Sequence, residues 1–379
     1  MKKDAPSPRQ ALSQAVAAIT IVWLAAACSR PAITPAAVTT IESAPVAAPT
    51  EAPTPADGAE GLSADEQATL NSLEKVDDYP LYTMRYFAPY DEATTIGGDG
   101  WVTAAEALHV SVTATQPTWA CSLFAAMGDA GSMIYGRNFD WEFSPAVLLF
   151  TDPPDGYASV SMVDMAYLGF DEDTAGAVTD RPLAERGALL EAPFWPFDGM
   201  NERGLAVGMA AVPPGQPPPD PNKGMIGSLV VIREMLDHAG TVDEAAAILQ
   251  SYNVDMEGGP DIHYLVADPS GRAILIEFYG GETVIIPNET PWHLATNFLR
   301  ASVSEPGEAG CWRYDRIGRR LAEAQGRLAV QEALNLLSEV SVADTEWSVA
   351  YQMSTLAVSV VMGRQYSSPH TFHLHLTGQ

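Results

Sequence analysis

Cys121 is followed sixteen residues later by Arg137 and nineteen later by Asp140, within Gly136-Arg137-Asn138-Phe139-Asp140-Trp141. These residue types suit nucleophilic chemistry. A thiol attacks as its thiolate, and a free cysteine has a pKa near about 8.5. A guanidinium fixed beside the sulfur lowers that value. If a cut makes Cys121 N-terminal, it gains an α-amino group with a pKa near about 7.7–8.0. That amine takes the thiol proton and later delivers it to the leaving amine. One residue then supplies nucleophile and base, and no histidine is needed. Asp140 would hold the amine in place. A structural cysteine beside a structural ion pair uses the same residue types, so the positions in space decide.

A hairpin supplies those positions. Strands are predicted over 121–127 and 133–139, turning at Gly128-Asp-Ala-Gly131. The second strand returns beside the start of the first, which brings Arg137 and Asp140 to Cys121. Upstream, Ser63 and the acids Asp65 and Glu66 open a helix predicted to reach Lys75. Further strands are predicted over 81–87, 110–115, 160–167, 205–212, 262–267, 273–278 and 284–287, and in the tail from Leu356. Asp268-Pro-Ser-Gly271 marks a hairpin turn. Helices are predicted over 226–238, 242–251, 314–324 and 330–340. Strands, then helices, then strands indicate an α+β class with antiparallel sheets against helices. The proline-rich stretch 213–221 reads as a surface loop.

At this point the residues resemble a family. Cys121 with Gly-Arg-Asn-Phe-Asp is similar to the choloylglycine hydrolase and penicillin V acylase family of N-terminal-nucleophile hydrolases. Related groups are the acid ceramidase-like amidases and the acyl-coenzyme A:6-aminopenicillanate acyltransferases. Gly199-Met-Asn-Glu-Arg-Gly-Leu205, Ala295-Thr296-Asn297 and Trp312-Arg313-Tyr314 follow in the family's order, and the resemblance runs from about Leu81 to the C-terminus. It implies a four-layer αββα sandwich and hydrolysis of linear, non-peptide C–N bonds through an acyl-thioester on Cys121. It implies Cys121, Arg137, Asp140, Asn297 and Arg313 as catalytic residues, with Asn297 lining the oxyanion hole. It also implies autoproteolysis of a zymogen between Ala120 and Cys121, with 62–120 as a pro-segment and 121–379 as the catalytic domain. An acyltransferase on the same scaffold, or a ligand-binding lipoprotein without catalysis, stands as the alternative. One position departs from the pattern. Ten residues after Asn201 some members carry an Asn or Tyr side chain as a second oxyanion donor; this chain has Ala211. A lost donor costs about 10²–10³ in rate, so a backbone N–H would have to serve beside Asn297.

The rest of the chain bounds the setting. Its 379 residues include 20 Lys+Arg against 48 Asp+Glu, a net charge of −28. That balance argues against a nucleic-acid partner. The expected partner is a small N-acyl amide; a homo-oligomer is left open. Met1, Lys2 and Lys3 precede an apolar run from about Ala11 to Ala27, which ends at Cys28. Basic start, short apolar core and small residues are the parts of a secretory signal. A cysteine directly after them resembles a bacterial lipobox, with Cys28 as lipidation site. Residues 29–61, rich in Ala, Pro and Thr, read as an extended tether. The expectation is an exported lipoprotein that meets the membrane only through its lipid. Of the remaining cysteines, Cys121 must stay free and Cys311 reads as structural. No cofactor is expected. His370, His373 and His375 lie close together, but no compact Asp, Glu or Cys partner accompanies them, so no metal site is assigned.

Overall fold

The computed structural model describes residues 61–90, 120–171, 176–257 and 259–374. The leader with Cys28, nearly all of the tether, the predicted strand over 110–115 and His375 lie outside the described residues.

Helix α1 (Ala64–Asn71) is started by a capping box: the Glu66 N–H donates to Ser63 Oγ and the Ser63 N–H to Glu66 Oε2. It stops short of Lys75. Ser72 Oγ accepts from the Arg85 N–H at 2.9 Å, and the chain turns into a hairpin of β1 (Glu74–Asp77) and β2 (Leu81–Arg85).

The remaining strands are β3 (Ser122–Ala126), β4 (Ile134–Asp140), β5 (Ala146–Thr151), β6 (Ser159–Asp164), β7 (Pro196–Asn201), β8 (Ala206–Ala211), β9 (Gly224–Gly227), β10 (Tyr252–Asp255), β11 (Ile262–Ala267), β12 (Ala273–Tyr279), β13 (Glu282–Pro287), β14 (Trp292–Ala295), β15 (Thr345–Gln352), β16 (Ala357–Met362) and β17 (His370–His373). The helices are α2 (Val230–His238), α3 (Val242–Ser251), α4 (Trp312–Ala324) and α5 (Val330–Val340). Nine strands form one sheet in the order β1-β2-β5-β6-β7-β8-β11-β12-β13; six form another, β14-β3-β4-β15-β16-β17. Helices α2 and α3 cover the first sheet, and α4 and α5 the second. The sheets face each other: Tyr135 on β4 donates to the Leu265 carbonyl on β11 at 2.9 Å. Gly208 allows this approach, because a Cβ there would lie 2.9 Å from the Tyr135 hydroxyl and 3.1 Å from Leu123. This is the expected four-layer αββα sandwich.

The pairing is not purely antiparallel. β2 and β5 run parallel, as do β9 and β10. After β2 the chain builds β3 and β4 in the other sheet before returning as β5, and a long crossover permits a parallel neighbour. Strands β1, β5, β7, β9, β10, β14 and β15 escaped the sequence prediction. β5 and most of β15 are buried on both faces, so neither shows the alternation that marks a half-exposed strand. The helix predicted from 226 begins only at Val230, because 224–227 pair with β10.

Candidate active site

The β3–β4 hairpin sets the site. Ser122 pairs with Asn138 and Leu123 with Arg137. Directly opposed residues share a face, so Arg137 points between the sheets on the side that Cys121 uses. Cys121 is free and 3% exposed. Arg137 Nη2 lies 3.9 Å from its sulfur. Arg137 pulls the thiol pKa down as expected, but it does not prevail in the intact chain. Burial pushes the Cys121 thiol up more than Arg137 pulls it down. The thiol stays protonated until a base removes its proton.

Arg137 is fully buried, and Asp198 on β7 takes its Nη1 as a salt bridge. Asp198 also accepts from the Tyr351 hydroxyl and, at 3.4 Å, from Trp347 Nε1. The Arg137 guanidinium lies 4.9 Å from the centroid of the Phe139 ring. Burial works against its charge, but Asp198 and Cys121 outweigh that and raise its pKa. Sequence reasoning missed Asp198, although it directly precedes the Gly199-Met-Asn-Glu motif. Replacing Asp198 with alanine would leave a buried guanidinium uncompensated, an expected cost of about 3–5 kcal/mol. Urea unfolding measures it, and a midpoint equal to wild type would contradict this role for Asp198.

Arg313 opens α4 and is fully buried. Its Nη1 donates to the carbonyls of Ala120 and Cys121 and, at 2.9 Å, to Ser122 Oγ. Its Nη2 donates to Asn297 Oδ1 at 3.0 Å. Asp140 Oδ2 lies 3.9 Å from Arg313 Nη1 and has no hydrogen-bond partner among the described residues; Oδ1 accepts from Thr345 on β15 at 2.5 Å. Burial pushes the Asp140 carboxyl up to about 7, against the pull of Arg313, Thr345 and Arg137. Because the folded pKa is the raised one, Asp140's share of stability is full below its ordinary value of 3.8 and is lost as pH rises through about 7. The structure thus gathers all five predicted side chains, Cys121, Arg137, Asp140, Asn297 and Arg313, around the Ala120–Cys121 bond.

The Ala211 departure has a structural counterpart. The Val212 N–H donates to the Asp261 carbonyl on the β11 side at 2.8 Å. Strand alternation therefore turns the N–H and C=O of Ala211 away from β11, and that carbonyl accepts from Asn297 Nδ2 at 2.9 Å. The Ala211 backbone N–H lies on the strand edge that Asn297 occupies. Asn201 is a turn staple. Its Oδ1 accepts from the Arg203 and Leu205 N–H groups, and its Nδ2 donates to the Leu236 and Ala239 carbonyls at the end of α2. Cys311 is buried and accepts from Thr296 Oγ1 at 3.4 Å. His370 pairs with Asp77 at 2.6 Å. Among the described residues, no group of three or more His, Cys, Asp or Glu is placed to hold a metal ion. Nor is any helix long and apolar enough to cross a membrane.

Residues 194–364 match the family described as acyl-coenzyme A:6-aminopenicillanic acid acyl-transferase. The matched stretch, under half of the chain, holds Asp198, Ala211, Asn297, Arg313 and Thr345; Cys121, Arg137 and Asp140 precede it. Solved structures similar to this chain include the penicillin V acylase from Agrobacterium tumefaciens, at 16% identity and TM-score 0.46 over 64% of this chain and 83% of that one. Two variants of conjugated bile acid hydrolase from Clostridium perfringens stand at 15% and 13% identity, with TM-scores of 0.48 and 0.47, each over 67% of this chain and 92% of the other. No curated protein sequence matches the chain.

Proposed function

We propose that this chain is a self-processing cysteine amidase that hydrolyses the linear C–N bond of an N-acylated small molecule. One observation carries the reading. Arg313 donates to the carbonyl of Ala120, the group that the thiol of the very next residue can attack. Sγ of Cys121 would add to the Ala120 carbonyl carbon, and the oxyanion would form against Arg313 Nη1. Asp140 would take the thiol proton. As the C–N bond breaks, the Cys121 nitrogen takes a proton and becomes the new α-amine. Water then hydrolyses the thioester, leaving Ala120 as a carboxylate and Cys121 with a free thiol. In turnover the α-amine would assume the base role, and a substrate acyl group would occupy the place that Ala120 vacates. The precursor is therefore a zymogen.

Asp140 gives this scheme a pH signature. Self-cleavage is expected to accelerate as pH rises through about 7, the value of its buried carboxyl. Asp140→Asn should remove that inflection and slow cleavage by about 10²–10⁴-fold. A wild-type rate that stays constant across this range would rule out Asp140 as the base.

The segment before the cut would remain as a second chain. Leu70, Leu81, Tyr82 and Met84 are fully buried, each side chain contributing roughly 1.5–3 kcal/mol. β2 is paired to β5 along its length. Tyr79 donates to Glu346 at 2.9 Å and Tyr90 to Asp237 at 2.9 Å. The leader ending at Cys28 and the tether over 29–61 would hold this assembly on the outer side of a bacterial cell membrane; incorporation of labelled palmitate, absent in Cys28→Ala, tests the anchor.

The match to an acyl-transferase family favours a second reading, in which an amine replaces water at the thioester. The two separate in one assay. The matured protein is given N-acyl aminomethylcoumarins with and without an added amine acceptor. Free acid as the product in both arms supports hydrolysis, acylated acceptor supports transfer, and no coumarin release from any acyl group would refute both.

A further inference from the structure

Glu277 on β12 and His263 on β11 form a buried pair that the mechanism above does not use. Both are fully buried, and His263 Nδ1 lies 2.9 Å from Glu277 Oε1. The same oxygen accepts from the Arg300 backbone N–H at 2.8 Å, and Oε2 accepts from the Ala301 N–H at 2.8 Å. A carboxylate buried this deeply is costly unless its oxygens are satisfied. Burial alone would raise the Glu277 carboxyl, but the His263 hydrogen bond and charge and the two N–H groups hold it below the usual carboxylate range.

What the carboxylate grips is the loop that carries Asn297. That loop leaves β14 at Ala295 and enters a 3-10 turn (Arg300–Ser302), whose first two N–H groups are the ones Glu277 binds. His263 lies directly opposite Ala210 on β8, the neighbour of Ala211. Asn297 bridges the far ends of this arrangement, donating to the Ala211 carbonyl and accepting from Arg313. The contacts close a ring from β8 through Asn297, its loop, Glu277 and His263 back to the strand beside β8. The loop can shift neither toward nor away from Ala211 without breaking a charge-assisted hydrogen bond.

We infer that Glu277, oriented by His263, is a positioning residue that clamps the Asn297 loop and so fixes the distance of Asn297 from the Ala211 edge and from Arg313. The inference rests on the reading of Asn297 as part of the oxyanion site. Small displacements at such a site are expensive: about 1 Å can cost about 10²-fold in rate.

A double-mutant cycle on the matured protein, with an N-acyl aminomethylcoumarin as probe, tests the clamp. Glu277→Gln puts an amide N–H against one of the two backbone donors and removes the charge. It is expected to lower kcat by about 10- to 100-fold with KM unchanged. In the Asn297→Ala background the same substitution should cost no more than about twofold, because nothing is left to position. His263→Asn, which retains an N–H toward Glu277, should show a smaller loss that also vanishes in that background. It carries the cycle if Glu277→Gln does not yield folded protein. Equal losses in both backgrounds would overturn the clamp while leaving the role of Asn297 intact. An Asn297→Ala enzyme as active as wild type would overturn that role, and the clamp with it.

Discussion

Replacing Cys121 with alanine is expected to leave the chain in one piece and without amidase activity. The same sulfur is the attacking atom in self-cleavage and in turnover, so both should stop together. The fold should survive. Cys121 is buried among apolar side chains, where a free cysteine behaves as a small hydrophobe, and alanine removes one atom. Arg137 keeps its salt bridge to Asp198 and its place over the Phe139 ring. Intact mass would read the uncut chain, and thermal melting would show a midpoint near that of the wild-type precursor. A Cys121→Ala chain that is still cut after Ala120 would mean that another group performs the cleavage.

Arg313→Gln is expected to have the next largest effect. One guanidinium spans the Ala120 and Cys121 carbonyls, the Ser122 hydroxyl and Asn297. Loss of an oxyanion donor of this kind slows the step by about 10²–10³-fold. A second consequence separates this role from simple unfolding. Arg313 is the strongest of the groups that hold the Asp140 carboxyl down against burial. Without it that carboxyl should titrate higher, and the pH profile of cleavage should move to higher pH. Arg313→Lys keeps a charge but not the planar fork, so its rate should fall between wild type and Gln. The time course of the cut fraction, followed by mass at several pH values, measures both effects. Cleavage of Arg313→Gln at the wild-type rate would remove Arg313 from the mechanism.

The site was legible where it depends on local pairing. Cys121, Arg137 and Asp140 sit on one hairpin, and a turn at Gly128–Gly131 suffices to bring them together. Asn297 and Arg313 came from motif order, because 176 and 192 residues separate them from Cys121 and no local rule spans that distance. Asp198 and Thr345 were not legible. Asp198 belongs to the opposite sheet and meets Arg137 only where the two sheets face each other. Thr345 reaches Asp140 from a strand 205 residues further on. The net direction of the Cys121 shift was not legible for a related reason. An arginine in the sequence signals a lowered thiol pKa, whereas burial, which here prevails, belongs to the packed fold. β5 and β15 were hidden by burial on both faces, and the parallel β2–β5 pair by the excursion through the other sheet.

Intact mass and N-terminal sequencing of the purified wild-type protein test the central claim most directly. Two co-eluting fragments are expected, one of which begins at Cys121, and both should be replaced by the uncut chain in Cys121→Ala. A wild-type chain that remains uncut while hydrolysing N-acyl amides, or one cut at another bond, would contradict it.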